Sequence, residues 1–290
     1  MKTTPSSFSS SADGLAIATT TWTPDSTPVG VVQLGHGVAE HSKRYERLGR
    51  ALTDAGYIVY INDHRGHGQS VGGDVALGSF GSAGWPALVD DLVAFTTSIA
   101  ERHPDLPLFL VAHSMGSFAA QQVILDRSEL YAGVVLTGST ALDLLAQGLA
   151  AAGDGPVQLT AFNAGFEDRT GYEWLSRDEA EVDAYIADPL SGFDLADDTV
   201  PQLFSAAERL ADPDALGGIS KALPILVVSG DKDPVGGHGQ LPPVIGQRYQ
   251  AAGVSDVTVT LYPDARHEVF NETNRDEIIS DIIAWLDAHR

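Results

Sequence analysis

Short apolar segments alternate with amphipathic segments along most of the chain. Apolar residues recur at helical spacing in 44–56, 86–101 and 275–288. Six runs of six or seven residues have instead the composition of buried strands: VGVVQL (29–34), YIVYIN (57–62), LFLVAH (108–113), GVVLTG (133–138), PILVVSG (224–230) and VTVTLY (257–262). Most of these strands are apolar on both faces, and they alternate with helices. The pattern therefore predicts a doubly wound, mostly parallel sheet of the α/β class.

Two regions depart from this alternation. Residues 6–22 predict an opening hairpin that turns at Ala12-Asp13-Gly14. Residues 141–218 contain no strong strand pattern, and their short helical pieces are separated by Gly153-Asp154-Gly155-Pro156, Asp188-Pro189 and Asp212-Pro213. We therefore expect a mainly helical cap at 141–218, inserted into a core formed by 1–140 and 219–290.

Composition excludes several classes of function. The 290 residues include no cysteine, so neither a disulfide framework nor a thiolate site can form. A net charge of −22 disfavours nucleic acid as a partner, since binding to phosphates requires basic patches. No apolar run approaches the roughly 18 residues of a membrane span, and the first residues lack the pattern of a signal peptide. The expectation is a cytoplasmic protein without stable membrane insertion, and its oligomeric state stays open.

The pentapeptide AHSMG (112–116) lies where the third predicted strand meets a helical pattern. A residue at such a sharp turn has a strained backbone and stands exposed at the carboxyl end of the sheet, where parallel-sheet enzymes bind ligands. Its neighbours two positions away must be small, as Ala112 and Gly116 are. Ser114 is therefore a candidate nucleophile, although a serine that only caps a structural helix would also fit this segment.

A serine hydroxyl needs a base to remove its proton and a carboxylate to orient that base. On this type of sheet the chain order is serine, acid, histidine. His267 follows the last predicted strand and is the candidate base. Two aspartates follow the strand before it. Asp233 lies further into the turn, from which it would reach His267, so we predict Asp233 as the acid and Asp231 as a turn-forming residue.

An oxyanion hole requires two preorganised N–H donors. One candidate is the backbone N–H of Met115, the residue after the nucleophile. The other should come from a loop that follows an earlier strand. The segment LGHGVAEHSKRY (34–45) supplies a strand end, a His-Gly turn and the start of a helix. We predict the backbone N–H of Val38 as the second donor.

With these positions assigned, the chain resembles the α/β-hydrolase superfamily, and within it the monoacylglycerol lipase and lysophospholipase-like group. Five motifs carry the resemblance: HGVAEHS (36–42) followed by Arg44-Tyr45, DHRGHGQS (63–70), HSMG (113–116), GDKD (230–233) and RHEVFNETNRD (266–276). Ala112 departs from the family pattern, which usually has glycine there, and Val38 stands where a smaller residue is expected. The motifs span nearly the whole chain outside the predicted cap.

The resemblance implies an α/β-hydrolase fold and a serine carboxylic ester hydrolase that uses neither a cofactor nor a metal. It assigns Ser114 as nucleophile, Asp233 as acid and His267 as base. It also implies that the backbone N–H groups of Val38 and Met115 form the oxyanion hole.

A metal hydrolase is the first competing hypothesis, because five side chains in the early loops could be ligands. However, the helical HExxH spacing is missing, and two of the histidines lie in a glycine-rich loop. We predict that these side chains instead tie the loops near the oxyanion hole together by hydrogen bonds: His36, Glu40, His41, His64 and His67.

Four further hypotheses use the same fold. A hydrolase with an aspartate nucleophile would need aspartate at position 114, where serine stands. An acyltransferase or a cofactor-free peroxidase would use the same triad, and both stay open. A non-catalytic binding module would be marked by the loss of a triad residue, and all three are present.

The expected substrate is a small monoester, either a monoacylglycerol or a similar medium-chain ester. The alternative is a monoalkyl phthalate, whose carboxylate would need a cap arginine such as Arg169, Arg177 or Arg209. The predicted cap carries sixteen acidic residues against three arginines, which favours a neutral ester. Its apolar residues could line an acyl pocket or form the cap's own core: Leu142, Leu144, Leu145, Leu149, Phe162, Phe166, Trp174, Phe193 and Phe204.

Overall fold

A twisted sheet forms the centre of the computed structural model, which describes residues 1–152 and 158–290. Within this part of the chain the sheet has eight strands in the order β1-β2-β4-β3-β5-β6-β7-β8. Strands β3 to β8 are parallel, whereas β2 runs antiparallel to both β1 and β4. The strands are β1 (Lys2–Ser9), β2 (Ala16–Thr23), β3 (Gly30–Gly35), β4 (Tyr57–Asn62), β5 (Leu108–His113), β6 (Gly133–Thr137), β7 (Ile225–Gly230) and β8 (Val257–Tyr262).

Helices cover both faces of the sheet, as expected for parallel strands with apolar side chains on both sides. Apolar residues of α2, α3 and α9 share one buried cluster with the sheet, and those of α1 and α10 share the other. The prediction of a doubly wound, mostly parallel sheet is confirmed. The α-helices are α1 (Glu46–Asp54), α2 (Gly84–Arg102), α3 (Met115–Arg127), α4 (Leu142–Ala152), α5 (Glu179–Ala187), α6 (Thr199–Phe204), α7 (Ala207–Ala211), α8 (Pro213–Leu216), α9 (Leu241–Ala251) and α10 (Arg275–Ala288).

The chain opens with the expected hairpin, which begins earlier than predicted, at Lys2. Strands β1 and β2 pair from Lys2 opposite Thr23 to Ser9 opposite Ala16. The turn is held by the Asp13 carboxylate, which accepts the backbone N–H of Leu15 at 3.0 Å. This is an Asx turn, in which a short polar side chain replaces a backbone acceptor.

The segment predicted as a cap contains helices α4 to α8 and two short 3₁₀ helices, Leu159–Asn163 and Glu173–Leu175. Its described residues contain no strand. The predicted break at 153–156 lies outside the described residues, and the division into core and cap stays a prediction. None of the helices in the described ranges combines the length and the apolar character needed to cross a membrane.

Candidate active site

Ser114 lies in the sharp turn between β5 and α3, with φ 50° and ψ −122°. A non-glycine residue rarely adopts a positive φ, so the turn is strained. The small flanking residues allow it. A Cβ atom at position 116 would lie 2.6 Å from the carbonyl oxygen of His36, so only glycine fits there. Ala112 is tolerated because its neighbour on β3 is Gly35, where an added Cβ would lie 3.4 Å from that of Ala112.

His267 lies in the loop after β8, and its imidazole reaches the predicted nucleophile. Its Nε2 is 2.9 Å from Ser114 Oγ. Its Nδ1 is 3.0 Å from both carboxylate oxygens of Asp233. A carboxylate only accepts hydrogen bonds, so Nδ1 carries the proton and Nε2 is the acceptor for the serine hydroxyl. All three side chains are buried.

The two candidate acids occupy different positions in the loop after β7. Asp233 is fully buried and faces His267, and it accepts the backbone N–H of Val235 at 2.9 Å. Asp231 lies nearer the surface and accepts the backbone N–H of Asp264 at 2.8 Å. Asp231 therefore joins the two loops, while Asp233 contacts the imidazole.

Burial and charge act in opposite directions on this pair. Burial alone would lower the pKa of His267, but the Asp233 carboxylate outweighs it and holds the pKa above the usual value. Burial alone would raise the pKa of Asp233, and the facing His267 keeps it below its usual range. Each partner therefore favours the charged form of the other, as a base that becomes an imidazolium requires.

The backbone N–H groups of Met115 and Val38 are the two predicted oxyanion donors. Val38 lines the same small cavity as Ser114, and Met115 is the first residue of α3, whose N-terminus has a partial positive charge. Within the described part of the chain, neither N–H has an acceptor. By contrast, the N–H of Gly116 is taken by His36 O at 3.1 Å.

Glu40 fixes the loop that carries Val38. Its carboxylate accepts the backbone N–H of Gly37 at 2.6 Å and the hydroxyl of Tyr45 at 2.7 Å. Arg44 donates to Glu40 at 2.7 Å and to Glu268 at 2.5 Å, so one largely buried cation joins this loop to the residue after His267.

The histidines weighed as metal ligands have other contacts. His36 Nε2 accepts the backbone N–H of His64 at 2.8 Å, which leaves Nδ1–H to donate to Gly37 O at 2.7 Å. His67 Nδ1 lies 3.0 Å from Arg65 O. His41 Nε2 lies 2.8 Å from Asp188 in the predicted cap.

The cavities near these groups include two that bear on substrate binding. A small one of about 10 Å³ is lined by Ser114, His267 and Val38. A larger one of about 450 Å³ lies within the predicted cap. Of the described residues that line either cavity, Leu159 lines both.

The apolar residues of the predicted cap divide between the two roles left open by the sequence. Leu149, Phe193 and Phe204 line the larger cavity. Leu142 and Leu145 are instead buried in the main core.

Trp174 is one of the apolar residues of the predicted cap, and its indole packs against His267. The sequence does not predict this contact. A single tryptophan in an acidic segment gives no signal for such a contact. The contact of Arg44 with Glu268 was also not predicted from the sequence. One motif contains the arginine and another contains the glutamate beside His267, and their opposite charges could have suggested an ion pair.

The arrangement is that of a serine hydrolase, and a comparison with protein families bears on it directly. The family model described as serine aminopeptidase, S33, matches residues 26–274. The chain belongs to this family. The match includes every predicted site residue of this hydrolase.

Named relatives narrow the class of enzyme. The monoacylglycerol lipase of Mycolicibacterium smegmatis is 32% identical over 289 residues, which cover 95% of this chain and 94% of that protein. The monoglyceride lipase of Mus musculus is 28% identical and covers 96% of this chain and 89% of its own. A crystal structure of a highly thermostable carboxyl esterase from Bacillus coagulans, in complex with glycerol, matches with a TM-score of 0.86 at 27% identity over 99% of both chains. These findings confirm the predicted fold, the resemblance to monoacylglycerol lipases and the enzyme class, a carboxylic ester hydrolase.

Proposed function

We propose that this hydrolase cleaves neutral carboxylic monoesters through an acyl-serine intermediate, with medium-chain monoacylglycerols as the best-fitting substrates. The observation that carries the proposal is the chain of hydrogen bonds from Ser114 through His267 to Asp233. It lies at the carboxyl edge of the sheet, beside the two candidate oxyanion donors.

The reaction follows from these contacts. Ser114 Oγ attacks the ester carbonyl while its proton moves to His267 Nε2, and Asp233 stabilises the resulting imidazolium. The backbone N–H groups of Val38 and Met115 hold the oxyanion. His267 then protonates the leaving alcohol. Water attacks the acyl-serine with His267 acting again as base, the acyl C–Oγ bond breaks, and His267 returns the proton to Ser114 Oγ as the carboxylic acid leaves.

The cavity of about 450 Å³ supports an acyl or alkyl chain as part of the substrate. Its volume lies in the range of roughly 300–1,000 Å³ that small-molecule sites occupy. Its apolar lining residues include Leu149, Val200 and Phe204, and its acidic lining residues are Asp194 and Asp197. A neutral chain can enter this lining without the cost of bringing an anion close to two acidic groups.

The same lining disfavours a monoalkyl phthalate. Its described residues include no lysine or arginine that could bind the phthalate carboxylate. The three cap arginines have other partners: Arg169 pairs with Asp183 at 2.5 Å, Arg177 with Glu272 at 2.8 Å and Arg209 with Asp126 at 2.6 Å.

The relatives support the same choice of substrate. The two relatives compared over most of their length are named monoacylglycerol lipase and monoglyceride lipase. Neither name concerns a peptide, although the family's own description does.

Initial rates on a medium-chain monoacylglycerol and on a monoalkyl phthalate test the proposal. We expect faster turnover of the monoacylglycerol, and a loss of about 10⁴-fold or more in kcat for Ser114→Ala. Equal rates for the wild type and Ser114→Ala would refute the catalytic role. Faster turnover of the phthalate would refute the choice of substrate and leave the serine mechanism standing.

A further inference from the structure

Trp174 packs directly against the predicted base. The centroids of its ring and of His267 lie 5.0 Å apart, with the planes inclined by 38°. Trp174 is buried and lines the small cavity that also contains Ser114. Its other aromatic neighbour is Phe162, at 5.2 Å.

Backbone hydrogen bonds fix this contact. The N–H of His267 donates to Trp174 O at 3.2 Å, and the N–H of Glu268 donates to Leu175 O at 2.7 Å. Arg266 Nη1 donates to the carbonyl oxygens of Glu173 at 2.6 Å and of Ser176 at 3.2 Å. Because these bonds use carbonyl oxygens of this segment, a change of the Trp174 side chain leaves every partner in place.

Other groups set the charge around His267. Asp233 is its nearest anion, and the carboxylates of Glu268 and Glu40 also favour the imidazolium. Arg44 pairs with both of these glutamates.

A second histidine also faces the imidazole. The ring of His113 lies 4.8 Å away, and it is neutral at pH 7 because burial, together with the charge of its neighbour, lowers its pKa to about 4. The Trp174 indole is thus an uncharged group in contact with the imidazole, and it has not entered the mechanism.

We propose that Trp174 is a positioning residue whose π face stabilises the imidazolium form of His267. The inference rests on the function proposed above. When Ser114 Oγ bonds to the ester carbon, the carbonyl π electrons move to oxygen and the serine proton moves to Nε2, so the ring gains a positive charge. A cation within about 6 Å of an indole centroid is attracted by the ring quadrupole, and more strongly where water is excluded.

The test is the pH dependence of kcat/KM for a neutral short-chain ester, whose acidic limb reports the pKa of the free enzyme's base. Trp174→Leu removes the π face and keeps an apolar side chain. We expect the acidic limb to move down by about one pH unit, because the imidazolium loses a stabilising contact. Trp174→Phe should move it less, since a phenyl face attracts cations more weakly than an indole.

The direction of the shift separates this role from a purely structural one. If Trp174 only excluded water, its loss would hydrate His267 and move the limb upward, because burial lowers the pKa of this group. An upward shift or an unchanged limb in Trp174→Leu would therefore overturn the proposal. The matched control is Phe162→Leu, which removes the neighbouring ring that does not contact His267 and should leave the limb in place.

A second measurement does not depend on turnover. In a Ser114→Ala background, NMR titration of the His267 Cε1–H signal gives its pKa with and without Trp174→Leu. A lower pKa in the double variant supports the proposal, and an equal or higher pKa refutes it. If the wild type hydrolyses no ester, the proposed function fails. If it hydrolyses esters but no pKa falls, only the role of Trp174 fails.

Discussion

Arg44 is a residue whose removal should cost much stability, because it pairs with two buried carboxylates. Its side chain is 10% exposed, and its guanidinium lies between the carboxylates of Glu40 and Glu268, whose side chains are 4% and 6% exposed. It also stacks over the ring of Tyr185, 4.8 Å from the centroid. Arg44→Met keeps most of the aliphatic volume and leaves two buried carboxylates without their cation.

The magnitude follows from that burial. Breaking a buried ion pair by removing one partner costs about 3–5 kcal/mol, because an uncompensated charge remains inside the protein. For a chain of this size, this corresponds to a fall in Tm of about 5–8 °C. Arg50→Met is the matched control. Arg50 pairs with Glu46 at 3.5 Å, and the two side chains are 59% and 61% exposed, so its loss should cost about 0.5 kcal/mol or less.

The cost should also depend on pH. Burial alone would raise the pKa of Glu40, but Arg44 and its other neighbours hold it at about 2. Without the cation, burial dominates, and the folded-state pKa of Glu40 rises above its unfolded value. The variant then takes up a proton on folding at low pH, so the difference in unfolding free energy between wild type and Arg44→Met should shrink as the pH falls from 8 to 5.

Chemical denaturation at pH 8 and pH 5, followed by fluorescence and circular dichroism together, measures these differences and shows whether unfolding is two-state. The reasoning fails if Arg44→Met is as stable as Arg50→Met at pH 8. It also fails if the loss is large but equal at both pH values, since the cost would then come from packing and not from unpaired charge.

Three further outcomes are expected. Asp233→Asn should lower kcat by about 10⁴-fold, because the wrong imidazole tautomer would form. The control Asp231→Asn should keep kcat within a few-fold of the wild-type value. Similar losses in the two variants would contradict the assignment of the acid. Gly116→Ala should lower the free energy of unfolding by about 1–3 kcal/mol, because its Cβ would lie 2.6 Å from a backbone oxygen. The control is Gly148→Ala in helix α4, where nothing lies within 4 Å of an added Cβ. Thermal melts of the two variants should show Gly148→Ala to be neutral or stabilising by up to about 1 kcal/mol. The free energy of unfolding should fall between pH 7 and pH 5, by up to about 2 kcal/mol per buried neutral histidine. Burial lowers the pKa of His67 to about 3, so this histidine takes up a proton in the unfolded state before it does in the folded state. A Tm independent of pH over this range would contradict the prediction.

The parts of the fold that the sequence predicted well are those set by local pattern. Strands β4, β5 and β8 begin and end at the predicted residues, since each is a short apolar run bounded by polar or turn-forming residues. The positions of Ser114 and His267 follow from the same rule, because parallel strands all bring their following loops to one edge of the sheet.

What the sequence could not predict depends on contacts between distant segments. Helix α9 was not assigned, because its two prolines and mixed composition hide the helical period. The partition of the cap's apolar residues between pocket and core could not be read from the sequence, as both environments select the same side chains. The contact of Trp174 with His267 joins positions 93 apart, and nothing local to either residue encodes it.

The backbone bonds beside His267 also constrain how the predicted cap could move. Residues 173–176 lie inside the predicted cap range, yet their carbonyl oxygens accept hydrogen bonds from the loop that carries the base. A cap that left the site as one body would break these bonds, withdraw Trp174 from His267 and uncover the imidazole to water. A motion that admits a substrate and keeps these hydrogen bonds must leave residues 173–176 in place. Leu159, which lines both cavities, lies outside that segment.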